Sequence, residues 1–154
     1  MGPNIHEADL NGAGRKVAII AGRFNDFVTK RLVKSAVECV IRHGVDSSDV
    51  DVFWVPGSFE VPQMARKLGG AGKYDGLICL GAIIRGETNH FENLCDSVIF
   101  SIADVSARCS IPVTYGVVTA ETTDQALARA GGKKGNKGWE SALALVEMMS
   151  LWEG

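Results

Sequence analysis

The residues best suited to chemistry fall in one run, Gly81-Ala82-Ile83-Ile84-Arg85-Gly86-Glu87-Thr88-Asn89-His90-Phe91. His90 stands at the expected start of a helix, where an imidazole can accept and return a proton. The unpaired N–H groups of a helix start also attract an anion. The competing reading is a histidine that only contributes to capping. His6 lies in a polar N-terminal arm, and His43 closes a helix, where stabilising the carboxyl end is role enough. No second histidine stands at metal-ligand spacing, so no metal site is expected.

Two other turns share this character, Arg23-Phe24-Asn25 and Pro56-Gly57-Ser58-Phe59-Glu60. Taken singly, Phe24 reads as a staple to its own helix and Glu60 as an acidic residue suited to a helix start. In a parallel sheet, however, all three turns emerge on one edge, where α/β proteins place ligands. The link from 131 to 138 adds Lys133, Lys134 and Lys137, with Arg129 just before it. Those cations could hold one small phosphate, yet the link lacks G-x-x-x-x-G-K-[ST] and follows a helix rather than a strand. In isolation it reads as a flexible, solvated connection. No G-x-G-x-x-G occurs, so no dinucleotide cofactor is expected.

The elements that must position these turns alternate. Short apolar runs at 16–22, 49–55, 75–80 and 111–119 read as strands, those at 16–22 and 75–80 as buried on both faces. A helix capped by Asn25 or Asp26 carries Phe27, Val28, Leu32, Val33, Ala36, Val37, Val40 and Ile41 on one wide apolar face, and stops at His43-Gly44. A helix over 59–68 tolerates Pro62 in its first turn. Gly81 and Gly86 are expected to break the third strand into a turn, with Thr88 or Asn89 capping a helix over 92–109. A short helix capped by Thr122 or Thr123 runs to 129, and a last one spans 139–151. Repeated β-α order predicts one α/β domain over 16–154, a three-layer αβα sandwich on a mostly parallel four-stranded sheet. Residues 1–15 form an arm or an edge strand. Tyr115 and Arg129 lie away from the edge that carries the three turns, so a contribution from them to the same site implies a neighbouring subunit.

With 154 residues the chain can bury a core without disulfides or metal. A net charge of −2 argues against a nucleic-acid or membrane surface. No apolar stretch approaches the roughly 20 residues that span a bilayer, and the N-terminal arm is too polar for a signal peptide. Cys39, Cys79, Cys95 and Cys109 are scattered without C-x-x-C, which fits buried, reduced thiols in a cytoplasmic protein.

Taken together, Gly22-Arg23-Phe24-Asn25, Trp54-Val55-Pro56-Gly57-Ser58-Phe59-Glu60, Leu80 through Phe91, and Arg129-Ala130-Gly131 with Gly135-Asn136-Lys137-Gly138 closely resemble the lumazine synthase family. The resemblance runs from about residue 16 to 151, in order and at the family's spacing. It implies the flavodoxin-like arrangement of the sandwich. It also implies the penultimate step of riboflavin biosynthesis: condensation, without cofactor, of 5-amino-6-(D-ribitylamino)uracil with 3,4-dihydroxy-2-butanone 4-phosphate to 6,7-dimethyl-8-ribityllumazine. By the same resemblance Phe24 stacks on the pyrimidine, and Ser58, Phe59 and Glu60 hold the ribityl chain and nearby polar edges. Ala82, Ile83 and Ile84 line the heterocycle, and His90 shuttles protons. Glu87, Thr88, Arg129 and Lys137 meet the butanone phosphate, and Tyr115 completes the pocket from an adjacent subunit. Tyr115 replaces the family's usual phenylalanine, and Gly132 and Lys134 its more typical threonine and alanine. The family forms homo-oligomers, pentamers and often icosahedral shells of them. The link from 131 to 138 has no insertion of the kind found in members that stop at the pentamer, so a shell is expected here. The N-terminal arm could add a strand to a neighbour's sheet, and riboflavin synthase is a further candidate partner. Two rival readings are an archaeal-type riboflavin synthase and a non-catalytic flavin- or lumazine-binding cage.

Overall fold

A computed structural model describes residues 2–86, 89–132 and 135–152. Four parallel strands, β1 (Val17–Gly22), β2 (Val50–Val55), β3 (Gly76–Ile84) and β4 (Val113–Ala120), form one sheet in the order β2-β1-β3-β4. Helices α1 (Asp26–Arg42) and α5 (Lys137–Trp152) cover one face, and α2 (Val61–Gly69) and α3 (Phe91–Arg108) the other. This is the α/β three-layer sandwich expected from the alternation of strand and helix.

Side-chain alternation along the central strands builds both cores. Val17, Ile19 and Ala21 of β1 meet Ile78, Leu80, Ala82 and Ile84 of β3 under α1 and α5. Ala18 and Ile20 meet Leu77, Cys79 and Ile83 under α2 and α3. Every residue of β1 and β3 is buried, whereas edge strand β2 leaves Val52 and Trp54 exposed. On α1 the buried stripe is Val28, Leu32, Val33, Ala36, Cys39 and Val40. Phe27 and Ile41 fall outside it and are exposed. Among the described residues no helix is long and apolar enough to cross a membrane.

Three expectations need correction. Gly81 does not break the third strand, which continues to Ile84. A Cβ on Gly81 would lie 2.5 Å from Ser58 Oγ, so the glycine makes room for that side chain. The turn begins only at Arg85 and Gly86, where Gly86 takes a φ of 95°. The link after the short helix α4 (Thr123–Ala128) is not an irregular connection, since β5 (Ala130–Gly132) pairs antiparallel with β6 (Gly135–Asn136). Asn89 is not the cap of α3, because His90 occupies the N-cap position and makes no side-chain capping bond; Thr88 lies outside the described residues. Thr122 does cap α4, accepting from the Gln125 N–H at 3.2 Å.

The arm from residue 2 crosses the surface without regular structure. It is tied down by Gly12 N–H to the His43 carbonyl at 2.6 Å and Asp9 N–H to Ser150 Oγ at 3.1 Å.

Candidate active site

The carboxyl ends of β1, β2 and β3 are held together by backbone bonds that leave little freedom to the turns they carry. Arg23 N–H donates to the Val55 carbonyl at 2.8 Å and Phe24 N–H to the Pro56 carbonyl at 3.0 Å. Gly22 permits this approach, since a Cβ there would lie 2.9 Å from both Gly57 C and Ser58 N. Asn25 then turns the chain into α1 in the left-handed region, with φ 64°. Asparagine tolerates that conformation better than most residues. Its side chain does not cap α1; Nδ2 donates instead to the Ala82 carbonyl of β3 at 3.0 Å. One buried amide thus joins the first turn to the third strand.

Between these turns lies a cleft of about 140 Å³. Phe24, Ser58, Phe59, Ala82, Ile83 and Ile84 line it, together with Asn25, Gly57 and Leu94. The first six are the residues expected to hold a heterocycle and its side chain. Phe24 and Phe59 are 61% and 63% exposed, so two aromatic faces stand open at its mouth. Ser58 is the reverse: its hydroxyl is buried and has no hydrogen-bond partner among the described residues. A buried hydroxyl left unpaired is costly, so this one is suited to a polar group entering the cleft. Glu60 does not line the cleft; its carboxylate folds back towards Gly57. Asn25 was legible only as a helix cap, and Leu94 was not singled out at all. The one usable signal for Leu94 is its spacing of one helical turn from His90.

A second, polar hollow of about 380 Å³ adjoins the start of α3, lined by Arg85, Gly86, Asn89, His90, Phe91, Glu92 and Asn93. It neighbours the cleft along the chain: Ile84 lines one and Arg85 the other, and the His90 carbonyl accepts the Leu94 N–H at 2.8 Å. His90 is exposed here. Arg85 donates to two carboxylates, to Glu121 at 2.5 Å through Nε and to Glu92 at 2.9 Å through Nη2. Its Cζ lies 4.5 Å from the centroid of the Phe91 ring. Glu92 and then Glu121 push the guanidinium further above its already high ordinary pKa. Glu87 and Thr88 lie outside the described residues.

Arg129 follows α4 and is exposed, with Nη1 donating to the Thr119 carbonyl at 2.6 Å. Thr119 is the ladder partner of Ile83, which places this cation one strand away from the cleft. The Lys137 N–H donates to the Arg129 carbonyl at 2.8 Å, so the β5–β6 hairpin brings the two expected phosphate-binding residues side by side. Lys133 and Lys134 lie outside the described residues. Tyr115 sits in the amino-terminal half of β4, opposite Cys79, against the core under α2 and α3. Burial pushes its phenol up to about 12, which keeps it a neutral hydroxyl. Arg129, Lys137 and Tyr115 are not among the residues lining the cleft of their own chain.

The cleft can therefore take a flat heterocycle with a polar tail, near the exposed His90 imidazole and within one strand of a cationic corner. A family model described as 6,7-dimethyl-8-ribityllumazine synthase matches residues 14–153.

Proposed function

We propose, from the premise that this chain belongs to the 6,7-dimethyl-8-ribityllumazine synthase family of riboflavin biosynthesis, that it catalyses the condensation itself. The substrates are 5-amino-6-(D-ribitylamino)uracil and 3,4-dihydroxy-2-butanone 4-phosphate. The observation that carries the proposal is the cleft: two open aromatic faces, an apolar wall from β3, and a buried Ser58 hydroxyl without a partner among the described residues.

The pyrimidine stacks on Phe24 against Ala82, Ile83 and Ile84, and the ribityl chain runs to Ser58, Phe59 and Glu60. Its 5-amino group attacks the ketone, and loss of water gives an imine. Elimination of inorganic phosphate follows, and the ribitylamino nitrogen closes the second ring with loss of another water. His90 moves protons between nitrogen, carbon and leaving oxygen. Arg129 and Lys137, with backbone groups of Glu87 and Thr88, hold the phosphate dianion, for which a guanidinium fork and helix N–H groups are suited. Both reactants are already reactive, so most of the acceleration comes from holding amine and ketone together.

Tyr115, Arg129 and Lys137 reach the site from a neighbouring subunit of a homo-oligomer, a pentamer or a shell of pentamers. Their absence from the lining of their own chain's cleft supports that sharing. The reading places the protein in the cytoplasm, with riboflavin synthase as the consumer of its product.

The test is product identification with purified protein. Both substrates together should give the lumazine and phosphate in equal amounts, faster than the spontaneous reaction. Riboflavin formed from the lumazine alone would support the archaeal-type riboflavin synthase instead. Flavin binding without any turnover would support the cage.

A further inference from the structure

Arg85 has no role in the chemistry above, yet its side chain holds two carboxylates and a ring beside His90. It leaves the end of β3, where its own N–H donates to the Ala120 carbonyl at 2.9 Å. The guanidinium Nε–H then meets Glu121 just beyond β4, Nη2 meets Glu92 in the first turn of α3, and Cζ lies over the Phe91 ring. Glu121 is anchored in turn, its N–H donating to Gln125 Oε1 at 2.9 Å. One planar group therefore joins the ends of two strands to the starts of two helices.

The position of that junction matters. Phe91 and Glu92 directly follow His90, and Phe91 also packs on the core under α2 and α3. The backbone on the far side of His90 is thus fixed by a cation, a carboxylate and a half-buried ring at once. The carboxylates are exposed, 75% for Glu92 and 56% for Glu121. Exposed ion pairs add little to global stability, so the arrangement is poorly explained as a stabiliser of the fold. Its geometry is local, and lysine cannot reproduce it, because a point charge does not present two fixed N–H donors and a planar face.

We propose that Arg85 is a positioning residue: through Glu92, Phe91 and Glu121 it fixes the first turn of α3, and so the place of the His90 imidazole relative to the cleft. This rests on the proton-transfer role given to His90 above. Arg85 is not among the residues that line the cleft.

The experiment compares wild type, Arg85→Ala, Arg85→Lys, Glu121→Gln, His90→Ala and the Arg85→Ala/His90→Ala double variant, each as the assembled protein. Arg85→Ala should lower kcat about tenfold, a fraction of a general acid–base contribution, with KM for each substrate nearly unchanged. Lysine should not rescue it, and Glu121→Gln should fall between. The double variant should be no slower than His90→Ala, because residues acting through one group are not additive. Hydrogen exchange should show faster exchange of the Leu94 amide in Arg85→Ala, with α1 and α5 unaffected. Additive losses, a raised KM for the phosphate substrate, or unchanged exchange at Leu94 would each overturn the proposal. If the wild type makes no lumazine, the proposed function fails, while the exchange result still decides whether Arg85 holds the turn.

Discussion

Ser58 keeps a buried hydroxyl beside Gly81 without a hydrogen-bond partner among the described residues, and the consequences for stability and binding have opposite signs. Removing an unpaired buried hydroxyl relieves a desolvation cost of about 1–3 kcal/mol. Ser58→Ala should therefore be at least as stable as the wild type in denaturant titration. It should also bind the ribitylaminouracil about tenfold more weakly, the effect of losing one hydrogen bond to ligand. Loss of stability without loss of affinity would mean that the hydroxyl serves the fold. For His90→Ala, initial rates should fall by about 10²-fold or less, because general acid–base groups contribute on that order and positioning remains. Arg129→Ala should instead raise KM for the butanone phosphate, with kcat changed far less. Equal losses of kcat in both variants, with unchanged KM, would contradict these separate roles.

At the level of elements, strands and helices were legible because apolar runs and helical stripes carry that information directly. What could not be read were places where a tertiary contact sets the role of a residue. Gly81 looked like a breaker because glycine commonly ends strands, yet its lack of a Cβ admits Ser58 from the neighbouring turn. Asn25 looked like a cap, but its amide is spent on the Ala82 carbonyl of a strand far away in sequence. The link after α4 looked irregular because Gly131 and Gly135 are turn formers; their positive φ values instead serve a tight hairpin. Gly138 is a further case. A Cβ there would overlap the Leu32 carbonyl, so α1 and α5 pack closely only because this position is glycine. Gly138→Ala should cost about 3 kcal/mol, the upper range for overpacking, and the midpoint of denaturant unfolding would register it.

Buried thiols add a pH dependence to the same packing. Desolvation raises Cys39 to about 11 and Cys79 to about 12, from an ordinary value of 9.0. Raised folded values mean that their contribution is fully present below about pH 9. It is lost as pH rises towards 12, because the unfolded chain then releases protons that the native state retains. Unfolding free energy should fall over that window, and Cys79→Ala should flatten part of the fall.

For the molecule as a whole, the cleft, Phe24 and Ser58 stand at the carboxyl edge of β1 to β3, while Tyr115 lies within β4, against the core under α2 and α3. The order of strand and turn in the sequence already sets Tyr115 inside a strand, away from those turns, so a contribution from it to the cleft requires a neighbouring subunit. A shared site predicts complementation. Phe24→Ala and Tyr115→Ala proteins should each be slow, and assemblies refolded from a mixture of the two should regain part of the lost activity. Mixtures no faster than the average of the separate variants would place each site within one chain.

The most direct test of the account is a structure of the assembled protein with a non-reacting analogue of the ribitylaminouracil and inorganic phosphate. The analogue's ring is expected on Phe24 against the β3 wall, with a ribityl hydroxyl bonded to Ser58 Oγ. Phosphate is expected on Arg129, with the Tyr115 of a neighbouring subunit closing the pocket. An analogue bound elsewhere, or a cleft filled by a neighbouring chain with no room for it, would contradict the assignment of this edge as the active site.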